Sequence, residues 1–540
     1  MQKKGYVFMK REMIEKAVNE LDLEIIEKNL DASGIRRRNL LKRATILAAA
    51  AAVLITAGIF VKNNMITKDP SGTEKQTGNE TEQGAKNPRQ AVPSANYSIA
   101  LAKYPEIPNI AELLKIREEI RALKDSGLDG EEKAAQEVRL LREYEAYKET
   151  VQKELEKVRG SSTAANYSEA LEAYTKKTAD RILSERGSGN VVYSPANLYL
   201  ALCMLSEVAG NESRDELLAL TGLGNVEKAR EAADVIWRSL YRDDASGKTW
   251  LANSLWLNEK LPFNKDTVAL ITAWYYADVY SAPMGKDGTD AALKEWINMR
   301  TGHLMQNAAE QLETAEDTAL LLVSSLYYSD NWWNGFNSEA TTEALFTPAA
   351  GNAIPAAFMH SSTVGSYYRE DGSYILAALS MESGASMVFL LPDESTTLQE
   401  LIEQGRVTEG LLRWQDKDSF SAAVIQWSVP KFDVESELSM TDTLRALGVQ
   451  RIFGASADFS PLTGRETDRT YSVTKIQHAA RVKINEEGCA AAAYTVIEIA
   501  DVGYPAKPEE TLAMNLNRPF AFMITGVDGL PLFIGVVNEV

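Results

Sequence analysis

The sequence predicts an α+β fold for residues 165–540, with large mixed β-sheets and helices packed on them. Apolar residues at helical spacing come first, in residues 167–185, 195–210 and 290–301. Segments typical of strands follow, in residues 318–328, 386–391, 423–429 and 520–525. This order favours large sheets with packed helices over repeating β-α-β units, and neither a nucleotide-binding glycine motif nor a metalloprotease motif is present.

Composition excludes several classes of function. The chain has 57 basic and 76 acidic residues, a net charge of −19, whereas a nucleic-acid-binding surface needs clustered Lys and Arg. Only three histidines and two cysteines occur, which rules out a disulfide framework and a cysteine-rich zinc site. We therefore expect no nucleic-acid partner, no metal and no cofactor.

Residues 44–61 predict a single transmembrane helix, because these 18 residues carry no charge and would form a helix about 27 Å long. Five basic residues precede the segment closely, so the positive-inside rule places residues 1–43 in the cytoplasm and the C-terminal bulk outside the cell. Two alternatives to a membrane anchor remain open. One is a cleaved signal peptide, which would leave a secreted protein, and the other is a buried alanine-rich helix.

Two further regions separate this segment from the main domain. Residues 62–94 are rich in Thr, Asn, Gln, Gly and charge, and predict a flexible stalk. Residues 95–164 predict a helical hairpin, with apolar residues stepping by three and four on both sides of a break at residues 125–130. Residues 95–104 match residues 165–174 at seven of ten positions, either a partial duplication or a chance similarity between two amphipathic helices.

The most informative stretch follows residue 484. An acidic pair and a glycine precede a run of small residues and then β-branched ones: Glu486, Glu487, Gly488, Cys489, Ala490, Ala491, Ala492, Ala493 and onward to Ile499. No proline interrupts the run, so it could form a fully paired strand, although four alanines make an intrinsically poor one. In a strand, Cys489, Ala491 and Ala493 share one face with later small or apolar residues. Such a segment suits a chain that is exposed part of the time and slides between neighbouring strands.

Six short motifs in order resemble the serpin family, and together they span nearly all of residues 168–540. They lie at residues 190–205, 252–256, 318–336 (which contains the family's characteristic tryptophan, Trp332), 429–432, 485–488 and 517–520. The resemblance implies the serpin fold, with an exposed reactive-centre loop. It also implies a serine protease inhibitor rather than an enzyme.

In serpins, the target protease cleaves the loop and forms an acyl-enzyme, and the cut loop then inserts into the main sheet before deacylation. The resemblance therefore implies insertion of residues 489–499. Counting seventeen residues from Glu486 places the scissile bond at Val502–Gly503, and the valine suits elastase-type proteases. Two departures from the family pattern are Cys489 at the first inserting position and Ala490 in place of a glutamate.

The resemblance also implies a sheet-opening region made of Ser194, Asn197, Ser324 and His478, together with Trp332. Serine and asparagine are exchanged between two of these positions, and we expect the exchanged pair to keep one hydrogen-bond network. His478 could instead be a catalytic base, but no motif places a nucleophile beside it. Two alternatives to inhibition stay open: a non-inhibitory binding protein of the same fold, and a hydrolase that uses a carboxylate pair.

Overall fold

The structure is a computed structural model of the 540-residue chain. It describes residues 95–104, 111–124, 130–159, 164–184, 187–243, 247–302, 312–370, 372–464, 471–473, 476–489, 508, 510–526 and 528–540. The chain divides into two compact units, residues 1–81 with 128–138, and residues 82–127 with 139–540. Only residues 130–138 of the first unit are described, so the following paragraphs concern the second.

The helices carry most of the apolar periodicity found in the sequence. They are α1 (Ala111–Lys124), α2 (Gly130–Arg159), α3 (Ala164–Ser184), α4 (Pro195–Val208), α5 (Asn211–Thr221), α6 (Val226–Leu240), α7 (Lys265–Trp274), α8 (Asp287–Arg300), α9 (Leu398–Glu403), α10 (Arg406–Leu412), α11 (Met440–Ala446) and α12 (Ser460–Thr463). Helix α4 begins where Ser194 caps the backbone N–H of Asn197 and Pro195 occupies the first turn. Every residue of α4 is buried, which places this helix in the centre of the domain.

The strands form two sheets. They are β1 (Ser98–Ala100), β2 (Val191–Tyr193), β3 (Arg242–Asp243), β4 (Gly247–Asn258), β5 (Ala277–Ala282), β6 (Leu320–Asn331), β7 (Thr342–Phe346), β8 (Ile354–Glu370), β9 (Tyr374–Ser380), β10 (Ser386–Pro392), β11 (Ser421–Pro430), β12 (Phe432–Ser439), β13 (Gln477–Ile484), β14 (Gly488–Cys489), β15 (Thr511–Asn515), β16 (Phe520–Thr525) and β17 (Pro531–Val537).

The first sheet, called the main sheet below, has the order β1-β5-β4-β6-β14-β13-β12 in the described chain, with β3 paired to β4. The second has the order β15-β11-β8-β9-β10-β16-β17-β2, with β7 paired to β8. Both sheets are mixed, since β4 pairs with β5 and β11 with β15 in parallel while their other ladders are antiparallel. The predicted α+β class with large mixed sheets and packed helices is confirmed.

The hairpin region is partly as the spacing predicts. Ile116, Ile120 and Leu123 of α1 form a small buried cluster with Leu140 of α2. The first ten residues of the region differ from the prediction, however, because Ser98–Ala100 form a strand that pairs with β5 of the main sheet. The apolar spacing of this segment is compatible with both structures, and the edge of β5 decides between them.

The predicted anchor and stalk, residues 44–61 and 62–94, lie outside the described residues, and so do residues 1–43. Within the described ranges, no helix combines the length and the apolar character needed to cross a membrane. The transmembrane helix therefore stays a prediction.

Candidate functional site

A tight turn leads the chain from β13 into β14. The side-chain oxygen Oδ1 of Asn485 accepts hydrogen bonds from the backbone N–H of Glu487, at 3.0 Å, and of Gly488, at 3.1 Å. The backbone N–H of Asn485 donates to the carbonyl of Gly488 at 3.0 Å. An asparagine suits this position because its short side chain can replace a backbone acceptor. The turn therefore directs residue 488 between β6 and β13.

The acidic pair fastens this turn to neighbouring segments. The carbonyl of Glu486 accepts from the N–H of Phe336 at 2.9 Å, and the carbonyl of Glu487 accepts from the N–H of Trp332 at 2.9 Å. The Glu486 carboxylate accepts from the Thr341 hydroxyl at 2.8 Å and pairs with the Lys431 ammonium at 2.6 Å. Burial alone would raise the pKa of Glu486, but these two partners outweigh it and hold the pKa below its ordinary value.

Gly488 and Cys489 form the short strand β14 inside the main sheet. Gly488 pairs with Asn331 of β6, while Cys489 pairs with Asp330 of β6 and with Ile484 of β13. A Cβ atom at position 488 would overlap the carbonyl oxygen of Asp330, so only glycine fits there without a shift of the backbone. The Cys489 side chain is 1% exposed, and burial raises the pKa of its thiol well above the ordinary value.

Asp330 is a buried carboxylate next to β14. Its side chain is 2% exposed and accepts hydrogen bonds from the Tyr328 hydroxyl at 3.0 Å and the Ser383 N–H at 3.3 Å. Burial raises the pKa of Asp330 to about 7, although these bonds and the charge of Arg242 act in the opposite direction. A group whose pKa is raised to about 7 therefore lies directly opposite Cys489 in the ladder between β6 and β14.

Trp332 directly follows β6 and contacts the turn between β13 and β14. Its indole N–H donates to the carbonyl of Asn485 at 2.8 Å, and its ring meets the Phe336 ring edge-on, with centroids 5.9 Å apart. The side chain is buried in the core. Trp332 thus positions the turn that the Asn485 side chain shapes.

The structure brings the hinge residues from Glu486 to Cys489 together with Trp332. The other predicted hinge residues, Ala490–Ala493, the remaining inserting residues to 499, and the predicted bond Val502–Gly503 lie outside the described residues. Their proposed roles stay predictions.

A separate hydrogen-bond network begins at His478 in β13. The backbone N–H of Ser194 donates to Nε2 of His478 at 2.9 Å, and the Ser194 hydroxyl accepts from the N–H of Asn197 at 3.2 Å. Burial lowers the pKa of His478 to about 4, so the imidazole is neutral at physiological pH. Because Nε2 is occupied by a backbone donor, His478 acts as a structural acceptor and not as a general base.

The network continues through the exchanged pair. The Ser324 hydroxyl of β6 lies 2.5 Å from Oδ1 of Asn197 in α4 and 2.7 Å from Oδ1 of Asn253 in β4. A hydroxyl has one proton, and the Asn197 amide nitrogen is buried without a partner. With the Asn197 amide turned by 180°, Nδ2 donates to Ser324 and Ser324 donates to Asn253, so each contact has one proton and Oδ1 of Asn197 becomes the buried atom without a partner.

Asn253 extends this network to the end of α7. Its amide nitrogen donates to the carbonyl of Tyr275 at 3.1 Å, at the end of α7. The four predicted sheet-opening residues therefore belong to one chain of contacts from β13 through α4 to β6 and β4. Ser324 and Asn197, the two positions at which the resemblance implies an exchange of serine and asparagine, are in direct contact, and the exchange itself stays a prediction.

Sequence reasoning missed Asp330, Lys431 and Asn253. Asn253 stands within a motif already noted, at residues 252–256, and its polar side chain between apolar strand residues is the signal that could have identified it. Asp330 and Lys431 also stand within noted motifs, at residues 318–336 and 429–432, but the sequence does not single them out, because Ser383 and Glu486, with which they interact, come from distant segments. Among the described residues, no group of three or more His, Cys, Asp and Glu side chains is placed to hold a metal ion.

Comparison with known proteins gives a consistent result. The family model described as serpin (serine protease inhibitor) matches residues 169–540. The relative Serpin-Z1C of Triticum aestivum is 28% identical over 362 residues, which covers 65% of this chain and 90% of that protein. Serpin B4 of Homo sapiens is 26% identical over 380 residues and covers 65% and 94%. The native structure of the thermophilic serpin tengpin superposes with a TM-score of 0.62 at 23% identity, covering 70% of this chain and 96% of tengpin.

Proposed function

The chain belongs to the serpin family, whose members are protease inhibitors rather than enzymes, and from this premise we propose that it traps a serine protease as a covalent acyl-enzyme. The observation that carries the proposal is the hinge. Gly488 and Cys489 pair with β6, Cys489 also pairs with β13, and four alanines follow them in the sequence.

The energetic basis is strand insertion. After cleavage, residues 489–499 would extend β14 between β6 and β13, and about ten new ladder hydrogen bonds at roughly 1 kcal/mol each would stabilise the product. The buried Cys489 shows which face of the strand meets the core. Alternate residues share that face, so Ala491 and Ala493 would follow Cys489 inward, where small side chains fit most easily.

We place the scissile bond at Val502–Gly503, seventeen residues from Glu486. A valine before the bond suits proteases that have a small apolar primary pocket, which makes elastase-type enzymes the proposed targets. We also propose that residues 44–61 anchor the protein in the cell membrane with its C-terminal domain outside. Extraction of membranes at alkaline pH tests the anchor, because a single-pass protein stays in the pellet while a cleaved, secreted form does not.

The alternative is a serpin-fold binding protein that does not inhibit. Human thyroxine-binding globulin has this fold and superposes on 70% of this chain with a TM-score of 0.62 at 19% identity. The small residues that follow Gly488 favour the inhibitory role, since bulky or charged side chains at the hinge would obstruct insertion.

The test is incubation of the full chain with pancreatic elastase. We expect a complex that survives boiling in SDS, and mass spectrometry of the released peptide to show cleavage after Val502. Cleavage without a complex would favour the binding protein. Absence of both cleavage and complex would contradict the choice of protease.

A matched pair of variants tests insertion itself. Ala491→Glu places a charge on the face of Cys489 and should convert the inhibitor into a substrate, whereas Ala492→Glu on the opposite face should leave most of the trapping intact. Equal behaviour of the two variants would contradict insertion in this register.

A further inference from the structure

Asp330 stands in a row of four paired residues that crosses the main sheet at β14. It pairs with Gly247 of β4 on one side and with Cys489 of β14 on the other, and Cys489 pairs with Ile484 of β13. Residues that pair directly across neighbouring strands point to the same face of a sheet. Cys489 and Ile484 belong to the main core, so the Asp330 carboxyl group faces this core as well.

The groups around the Asp330 carboxyl come from four elements. Tyr328 of β6 donates its hydroxyl and Ser383 its backbone N–H, while Arg242 of β3 acts through its positive charge. The Arg242 guanidinium itself donates to the carbonyl of Ser383 at 2.6 Å. Burial raises the pKa of the Tyr328 hydroxyl and of the Cys489 thiol, so both groups are neutral at physiological pH.

Two neighbouring residues add no charge to this site. Glu382 precedes Ser383, but its carboxylate accepts from the side-chain amide of Asn331 at 3.1 Å. The residue of β4 beside Asp330 is Gly247, and a Cβ atom there would lie 3.1 Å from the carboxyl carbon of Asp330. The carboxyl group therefore lies between a glycine and a buried thiol, and neither can compensate a negative charge.

The position of β14 decides how much water reaches this carboxyl group. With Cys489 in the sheet, Asp330 is 2% exposed, and burial is the main reason that its pKa rises to about 7. Withdrawal of Cys489 opens one side of the row to water, which brings the pKa back towards its ordinary value near 4. Since the higher pKa belongs to the inserted state, protonation of Asp330 favours insertion, and this contribution is lost as the pH rises through 7.

The hinge strand is short enough to respond to one charge. β14 consists of Gly488 and Cys489 alone, so few ladder hydrogen bonds hold it in place, and the net contribution of each is modest. Moving a carboxylate out of water is unfavourable unless a cation or several donors compensate it. Ionisation of Asp330 therefore acts against a strand of small stability.

We propose that Asp330 is a positioning residue for the hinge, which keeps Gly488 and Cys489 in the main sheet while its side chain is neutral and favours their withdrawal once it is ionised. This rests on the proposed function, because the position of the hinge matters for trapping only if the loop inserts. After cleavage, a withdrawn hinge must first bury Cys489 beside the carboxylate, and this delay gives the acyl-enzyme time to hydrolyse. The protein should therefore trap proteases more efficiently in mildly acidic than in mildly alkaline surroundings.

Hydrogen exchange of the backbone amides at residues 485–489 in the full chain measures the position of the hinge. The variant Asp330→Asn mimics the neutral acid, since its amide can donate to the Tyr328 hydroxyl while its oxygen accepts from Ser383. Asp180→Asn is the matched control. Burial also raises the pKa of Asp180, but this residue lies in α3 and accepts from Thr408 of α10.

We expect the protection of these amides, corrected for their intrinsic exchange rates, to fall about tenfold between pH 6 and pH 8 in the parent chain, because insertion takes up one proton per molecule over most of this range. Asp180→Asn should show the same fall. In Asp330→Asn, the protection should change by less than about twofold.

The fraction of elastase trapped, rather than released after cleavage, measures the consequence. Dividing the ratio of trapped to released enzyme for the parent chain by that for Asp330→Asn at the same pH cancels the pH dependence of elastase itself. We expect this quotient to fall severalfold between pH 6 and pH 8. For Asp180→Asn divided by the parent chain, it should stay constant.

Tyr328→Phe keeps the test decisive even if Asp330→Asn does not fold. This variant removes a donor to the ionised carboxylate and so raises the pKa of Asp330 further. The protection of the hinge should then continue to fall between pH 8 and pH 9, where that of the parent chain is level. A role of Tyr328 in packing alone would not move this transition.

Three results would overturn the inference: equal protection of the parent hinge at pH 6 and pH 8, the same pH dependence in Asp330→Asn as in the parent chain, or pH-dependent protection with a constant trapping quotient. Failure of the proposed function gives a different signature. In that case no trapped complex forms at any pH and the clipped chain melts no higher than the intact one, while the contrast in exchange between the parent chain and Asp330→Asn persists.

Discussion

The main sheet receives a short strand from a distant part of the chain at two places. Outside β5, β1 adds to an edge, whereas β14 enters the interior between β6 and β13. An edge accepts a strand without moving its neighbours, and the exposed Ile99 and Leu101 show that side chains there meet solvent on one face. In the interior, β14 lies between two strands, and its residues are a glycine that the Asp330 backbone approaches closely and a buried cysteine.

The largest difference in the free energy of unfolding should be between a variant in residues 95–104, at the edge of the main sheet, and a variant in the similar residues 165–174 of α3. Leu101 and Leu171 occupy equivalent positions of the two decapeptides, but Leu101 is 43% exposed and Leu171 0%. Leu171→Ala should lower the free energy of unfolding by about 3 kcal/mol, because it leaves a cavity. Leu101→Ala should cost less than about 0.5 kcal/mol. Urea denaturation of both variants measures this, and similar losses would contradict the edge-strand register.

The next largest effect is expected at Gly488, in the interior of the main sheet, where the backbone of Asp330 leaves no room for a side chain. Gly488→Ala forces a methyl group against the carbonyl of Asp330 and should disfavour the inserted hinge by about 1–3 kcal/mol. We expect the fraction of elastase trapped, rather than released after cleavage, to fall. Gly224→Ala is the control, since a Cβ atom there meets no other atom within 4 Å. Unchanged trapping by the Gly488 variant would mean that β14 is not needed in its present place.

A smaller effect is expected from the network beneath the interior strand. Asn197→Ala and Ser324→Ala remove the two ends of one contact, so the double variant should lose less stability than the sum of the single variants. The coupling should be about 1 kcal/mol, the net value of a typical hydrogen bond. Additive losses in a double-mutant cycle of thermal or urea unfolding would show that the exchanged pair does not interact.

The remaining effects concern pH, and they have opposite signs for Asp330 of β6 and His478 of β13, the two strands on either side of β14. The pKa of Asp330 is raised from 3.8 to about 7, so its stabilising contribution is complete below pH 3.8 and is lost as the pH rises through 7. The pKa of His478 is lowered from 6.5 to about 4, so its contribution is complete above pH 6.5 and is lost as the pH falls through 4.

Variants separate these two trends. As the pH rises from 5 to 8, the stability of Asp330→Asn should increase relative to that of the parent chain. As the pH falls from 7 to 4.5, the stability of His478→Gln should increase relative to that of the parent chain. Urea midpoints measured across this range test both expectations. A constant difference from the parent chain at all pH values would show that the replaced group does not titrate there.

Much of the fold and part of the site follow from sequence. The helix α4 and the strand β16 are predicted within about two residues, because their apolar runs are long and bounded by clear signals. The hinge is predicted from Gly488 and the small residues after it, and the structure shows that Gly488 and Cys489 form a strand inside the main sheet. The roles of Asp330 and Lys431 are not recognisable although both lie within noted motifs, because they depend on Ser383 and Glu486, which lie far away in sequence.

The two decapeptides show where local sequence stops being decisive. They are identical at seven of ten positions, yet residues 165–174 lie within α3 while Ser98–Ala100 form β1. The sequence by itself determined the family and the main apolar segments, because these depend on residue type and spacing. Only the tertiary structure decided that one copy pairs as a strand, since an open sheet edge at β5 supplies hydrogen-bond partners that no neighbouring residue in the chain can offer.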